Sequence, residues 1–307
     1  MLKGDDSLII MDRALPFIKT QVEENRPFLT AIWFHAPHTP TLAGDEFLEM
    51  YKEHEGRHHY GAISAMDAQI GRLRNYLEQL EIEENTLIWF CSDNGAAKHN
   101  PEFGDYGGFG SNGLLRGWKG QLYEGGIRVP CIIEWPNGIP APRSTNYPAG
   151  AVDVFPTISE IVGLPKDSCI YPQDGESLFK IFKKELKQRE KPLVFSSNNR
   201  MAVIDNNWKL LSLPGKNNPN FELYNLSKDI SETTNLKRIN DKIFKELNKL
   251  IEVNRASIQK SVEGKDYKEG FVKNQPPRIF WTEVEEYKKY FNHWKFRPEY
   301  ESRLKNK

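Results

Sequence analysis

The chain has 307 residues, and 42 Lys plus Arg balance 42 Asp plus Glu, so no global field points to nucleic acid or to a charged membrane surface. That length can bury a sizeable core and predicts one large and one small domain. No apolar run reaches a membrane span, Met1 to Phe17 lacks the apolar block of a signal peptide, and there are no internal repeats. The three cysteines, Cys91, Cys131 and Cys169, show no metal-binding spacing; the first two lie inside apolar runs and are expected to be buried free thiols.

Asp5-Asp6 has no strand before it and reads as a solvated pair. The spacing of Leu15, Ile18 and Val22 predicts a helix over Asp12 to Val22, with Pro16 in its first turns. Phe28 to Phe34 reads as a buried strand, ending in His35-Ala36-Pro37-His38-Thr39-Pro40, where the prolines hold the backbone extended and fix the direction of His38. Taken alone, His38 reads as a histidine merely bonded in a loop; leaving the end of a strand that should neighbour the one ending in Asp93, it becomes a candidate functional group. Ile63, Met66, Ile70, Leu73, Leu77 and Leu80 recur at three and four, predicting a helix over Tyr60 to Leu80 with a core face. It leads into the apolar run Thr86 to Cys91, so strand, helix and strand form a parallel, right-handed unit whose second strand is buried on both faces.

That strand ends in Ser92-Asp93-Asn94-Gly95. A carboxylate beside a carboxamide at the carboxyl end of a strand supplies two hard oxygen donors, half of a metal site formed by Asp93 and Asn94. The glycine-dense loop Gly104 to Gly117 follows, with His99 before it either facing a ligand or merely on the surface. Lys119, set in Gly117-Trp118-Lys119-Gly120, is a charge on a backbone that can approach a ligand closely and neutralise an anionic oxygen. Glu124 and Arg128 are expected to form a structural ion pair at the turn into the Cys131 strand.

Asp153 to Gly163 reads as a helix capped by Asp153, with Phe155, Ile158 and Val162 inward. A short helix opens at Asp174-Gly175, and Lys183 to Lys191 reads as a solvated face. Met201 to Ile204 and Trp208 to Leu213 flank a turn, Phe221 to Leu226 supplies another strand, and a helix follows from about Asn240 to Ile258, together a small antiparallel α+β subdomain. The aromatic, basic and acidic tail from Gln275 is expected to strap onto the body or make an oligomer contact.

S-D-N-G, then G-W-K-G and E-G-G-I-R-V-P before a strand, resembles the sulfatase family, and D-V-F-P-T, W-K-L-L and E-L-Y-N-L fit the same pattern. The resemblance implies an α/β, alkaline-phosphatase-like fold: a mainly parallel sheet between helices, its N-terminal part missing, with the smaller antiparallel subdomain behind it. It divides the chain into residues 1–165 of a catalytic domain, a linker 166–192, a subdomain 193–274 and a tail 275–307. It also implies sulfate-ester hydrolysis of a sulfated carbohydrate or aryl sulfate. Asp93 and Asn94 then hold a divalent cation, most simply Ca2+, Lys119 binds the sulfate, and His38 binds it too or gives a proton to the leaving oxygen. The family's nucleophile, a formylglycine made from a C/S-x-P-x-R motif, is encoded nowhere in these residues. The chain is therefore expected to be the C-terminal portion of a sulfatase and inactive alone. A phosphatase or phosphonate monoester hydrolase of the same fold, and a catalytically silent fragment, are the alternatives. Family members are often periplasmic or secreted.

Overall fold

The computed structural model describes residues 4–169, 171–266, 279–296, 300, 301 and 304. They form an α/β protein that divides into two compact units. One takes residues 4–83, 97–111 and the described residues from 279 onward; the other takes 84–96 and 112–266. No described helix is long and apolar enough to cross a membrane.

The first unit is helical. Helix α1 (Ser7–Glu23) begins before Asp12 because Asp5 Oδ1 accepts the Ser7 N–H at 2.7 Å, doing the work of a cap. Pro16 therefore lies in the helix interior, not in its first turns. Asp5 and Asp6 are not a solvated pair either, since the Asp6 carboxylate contacts His35 Nδ1. After α2 (Asp45–Met50), helix α3 (Arg57–Gln79) packs on both earlier helices. Its buried stripe is Ala62, Ala65, Leu73 and Leu77, facing Met11, Leu15 and Ile18 of α1, while Ile63, expected inward, is exposed. Phe28 to Phe34 alternates half-buried and exposed residues as an extended chain should, with Leu29 and Trp33 in the open. No described segment pairs with it. Alternation is a property of an extended backbone, but a strand exists only where a neighbour accepts its hydrogen bonds.

The second unit holds two sheets, and every strand pair among the described residues is antiparallel. The parallel strand-helix-strand unit expected to end at Cys91 is accordingly not formed among them. Strand β1 (Ile88–Cys91) pairs with β2 (Cys131–Glu134), which follows the single helical turn α4 (Glu124–Ile127). Trp89 and Ile133 pack against Leu178, Ile181 and Phe182, around α6 (Phe179–Lys183), which follows α5 (Val154–Ile161). Ile132, on the opposite face, is 64% exposed, so this ladder is covered on one side only. Cys91 and Cys131, at the end of the ladder, are exposed free thiols rather than buried ones.

Strands β3 (Leu193–Ser197), β4 (Arg200–Asp205), β5 (Trp208–Leu213) and β6 (Asn220–Asn225) form a meander in chain order; β3 has no counterpart in the sequence reading. Period-two alternation gives this sheet two apolar faces. Met201, Val203, Leu210 and Leu223 pack on Leu247 and Ile251 of α7 (Asp241–Val262). Ala202, Ile204, Leu211 and Tyr224 face the other way, onto Leu122, Tyr123 and Ile127 of the segment that carries Lys119. Each fully buried Leu or Ile contributes about 1.5–3 kcal/mol.

A second anchor corrects two expectations. Asp153 does not cap α5 with its side chain; it is fully buried in a two-pronged ion pair with Arg189, both contacts 3.0 Å, and accepts the Gly150 and Glu176 amides. Arg189 thus leaves the charged run Lys183 to Lys191, expected to be solvated, for the interior. The buried residues of α5 are polar, Thr157 and Ser159; Ile158 is half-buried, Ile161 packs on the Leu178 cluster, and Phe155 and Val162 are exposed.

Candidate active site

Two loops meet behind β1 and are stitched by backbone hydrogen bonds. Leaving the strand, Ser92 N–H donates to Pro130 O at 3.4 Å and Gly95 N–H to Gly126 O at 3.0 Å. Lys119 N–H donates to Ala96 O at 3.0 Å, and Gly125 N–H to Arg116 O at 2.7 Å. Asn112 clamps both loops: its Oδ1 accepts the Ala96 amide at 2.8 Å and its Nδ2 donates to Gly117 O at 2.9 Å. The sequence reading missed Asn112; a hydrogen-bonding side chain inside a glycine-dense loop was the only signal.

The glycines here are required by contact. A Cβ on Gly95 would stand 1.9 Å from Gly125 O, one on Gly125 2.4 Å from Gly117 O, and one on Gly126 2.1 Å from Gln121 O. Each obstacle is backbone, which cannot turn aside as a side chain can. The spacing of G-W-K-G and E-G-G is thus the imprint of one loop lying on another.

The segments that bear Asp93 and Asn94 on one side and Lys119 on the other meet in this weave through backbone hydrogen bonds. Asp93 is exposed, and its carboxylate has no hydrogen bond or ion pair among the described residues. Asn94 donates Nδ2 to Gly95 O at 3.1 Å, which leaves Oδ1 free to accept. Two hard oxygens without protein partners fit a Ca2+-type cation, which takes six to eight such donors. No group of three or more His, Cys, Asp or Glu that could hold a metal ion gathers among the described residues. The Lys119 side chain is exposed and forms no ion pair, leaving its ammonium available to an anion.

Glu124, five positions after Lys119, belongs to a buried charge cluster. Lys209 Nζ sits 2.9 Å from Glu124 Oε1 and 2.8 Å from Glu232 Oε1, Glu232 Oε2 accepts the Glu124 amide at 2.6 Å, and Arg128 Nε holds Glu124 Oε2 at 2.6 Å. The expected Glu124–Arg128 pair is present, within a larger network. Burial works to raise both carboxyls, but Lys209 and Arg128 together bring Glu124 below its usual range. Glu232, with Lys209 its one cation and Glu124 as a like-charged neighbour, stays above its own. Arg116 extends the network, donating to Tyr224 Oη at 2.9 Å and Glu232 O at 3.0 Å and lying over the Tyr123 ring. Burial and the Glu222 carboxylate push Tyr123 up to about 12, so it remains a hydrogen-bond donor at neutral pH.

At the end of the same ladder, burial and then the Asp93 charge push the Cys91 thiol up, and burial and then Cys91 do the same to Cys131.

His38 belongs to the first unit. It lies in a turn closed by His38 N–H to His35 O at 2.7 Å, with its exposed ring nitrogen Nδ1 2.6 Å from Thr39 O. His99, also there, bonds through Nδ1 to Gly108 O at 3.1 Å and packs on Phe109.

Helices, a small antiparallel sheet and solved relatives of the same architecture place the chain in the alkaline-phosphatase-like α/β class. A crystal structure of Ps i-CgsB in complex with k-i-k-neocarrahexaose superposes with a TM-score of 0.68 at 25% identity, over 80% of this chain and 54% of that one. The family model described as Sulfatase matches residues 3–164, more than half of the sequence, and the chain belongs to the sulfatase family. A second model, N-sulphoglucosamine sulphohydrolase, C-terminal, matches residues 116–260. Steryl-sulfatase of Mus musculus is 34% identical over 61% of this chain and 29% of its own length. N-acetylgalactosamine-6-O-sulfatase of Bacteroides thetaiotaomicron is 26% identical over 80% of this chain and 50% of its own. The chain thus spans half or less of these curated relatives.

Proposed function

We propose that the chain is the sulfate-binding and cation-binding portion of a sulfuric ester hydrolase whose substrate is a sulfated carbohydrate. The observation that carries this reading is the backbone hydrogen bond from Lys119 N–H to Ala96 O, which joins the segment bearing a lysine without an ion pair to the segment that continues from Asp93 and Asn94. Asp93 and Asn94 hold a divalent cation, most simply Ca2+. When bound, such an ion polarises a sulfate oxygen as a Lewis acid. Lys119 neutralises the remaining anionic oxygens, whose charge grows as the ester bond breaks. His38 hydrogen-bonds the sulfate or gives its proton to the departing oxygen. The nucleophile, a formylglycine, comes from a segment outside these residues. The carbohydrate preference draws on relatives described as N-acetylgalactosamine-6-sulfatase and N-acetylgalactosamine-6-O-sulfatase and on a solved relative in complex with k-i-k-neocarrahexaose.

Two measurements test this. Isothermal titration of the purified chain with inorganic sulfate, with Ca2+ present, should show binding that Lys119→Ala weakens at least tenfold, while Asp93→Asn weakens Ca2+ binding. Sulfate-ester hydrolysis should be absent from the chain alone and appear when it is joined to a segment carrying C/S-x-P-x-R; there Lys119→Ala should lower kcat by about 10²–10³. Turnover by the 307 residues alone, or preference for phosphate over sulfate esters in the joined protein, would overturn it.

A further inference from the structure

Cys91 and Cys131 are register partners at the last rung of the β1–β2 ladder. Their relation is set by the next bond along, Ser92 N–H to Pro130 O, which makes residues 92 and 130 the hydrogen-bonded pair. Rungs alternate, so 91 and 131 form a non-hydrogen-bonded pair, the kind whose Cα atoms stand about 4.5 Å apart with side chains on one face. That separation lies inside the range a disulfide spans. Both thiols are free and exposed to solvent reagents.

We propose that Cys91 and Cys131 are a cross-strand dithiol site that closes to a disulfide on reaction with a small disulfide such as oxidised glutathione. One cysteine sulfur attacks the glutathione disulfide, forming a mixed disulfide and releasing one glutathione thiol. The second cysteine sulfur attacks the first, forming the protein S–S bond and expelling the second glutathione. Two protein thiols are oxidised, one disulfide is reduced, and the two cysteine protons end on the two glutathiones. The bond pins the strand that runs into Asp93 and Asn94 to the strand that leaves Arg128 and Pro130. It closes a loop of about forty residues, which raises the folded-to-unfolded ratio on the order of several hundredfold.

The test is non-reducing peptide mass spectrometry of the purified chain after equilibration in glutathione redox buffers at mildly alkaline pH. The wild type should lose the mass of one hydrogen molecule and yield a peptide joining Cys91 to Cys131. Cys169→Ser should do the same. Cys91→Ser and Cys131→Ser should instead keep a stable glutathione adduct on the remaining partner. Hydrogen exchange at the Ser92 and Gly95 amides should slow at least tenfold in the oxidised wild type and not in either variant. Stable glutathione adducts on both wild-type cysteines, unmodified thiols at every redox ratio, or a bond to Cys169 would each overturn the proposal.

Discussion

Replacing Lys209 with Met keeps an unbranched side chain of similar length but removes the ammonium from between two buried carboxylates. Glu124 retains Arg128 at 2.6 Å. Glu232 retains only the Glu124 amide on Oε2, and its Oε1 makes no other contact of hydrogen-bond geometry. Breaking a buried pair in this way costs about 3–5 kcal/mol, against a total stability on the order of 5–15 kcal/mol for a whole domain. The sign of the pH dependence follows from Glu232. Its carboxyl already sits above its ordinary value, raised by burial and held back by Lys209. Without Lys209 it rises further, so the folded variant takes up a proton at a pH where the unfolded chain has none, and acidification towards 4.5 restores stability. Urea unfolding followed by circular dichroism should give the full cost at pH 7 and a clearly smaller one at pH 5. The double variant Lys209→Met with Glu232→Gln should recover more than half of the loss at pH 7. A cost below about 1 kcal/mol, or one independent of pH, would refute the assignment of Lys209 as the counter-charge to Glu232.

Arg189→Ala should cost about 3–5 kcal/mol, read from the urea midpoint, because it strands the fully buried Asp153 carboxylate. Gly125→Ala places a Cβ 2.4 Å from Gly117 O and 2.6 Å from Arg116 O; it should cost about 1–3 kcal/mol and accelerate hydrogen exchange at the Lys119 amide. Burial, joined at His58 by Arg57, holds His58 and His59 below 6.5, so the native state stays neutral where the unfolded chain takes up protons. Thermal stability of the wild type should therefore fall as pH drops below 6.5, by at most about 1.4 kcal/mol per pH unit per histidine, and the double variant His58→Gln with His59→Gln should flatten that slope.

The long helices were legible because their cause is local. Leu15 and Ile18 on α1, Leu73 and Leu77 on α3, and Leu247 and Ile251 on α7 recur at helical spacing and are buried where that spacing put them. Asn206, with φ of 53°, closes the β4–β5 hairpin between the two strands read on either side of it. Strand β3 was harder to see, since Leu193 to Ser197 follows directly on a charged run; its signal was the turn after it, Asn198-Asn199, whose φ of 48° and 62° close the hairpin into β4. At the candidate site, Asp93, Asn94 and Lys119 could be picked out because the glycines around them mark a backbone pressed against another backbone.

The sequence by itself determined the periodic elements and the family motifs, and it singled out the residues proposed here to hold a cation and a sulfate, since each depends on neighbours within a few positions. Only the tertiary structure decided which charges are interior and which are solvated. Lys209 finds Glu124 across 85 positions and Arg189 finds Asp153 across 36, and neither lysine nor arginine differs locally from those left in water. The same holds for strands. Phe28 to Phe34 and Thr86 to Cys91 look alike as apolar runs, yet within the described residues only the second meets a partner, because a ladder belongs to two segments and no single stretch of sequence contains both.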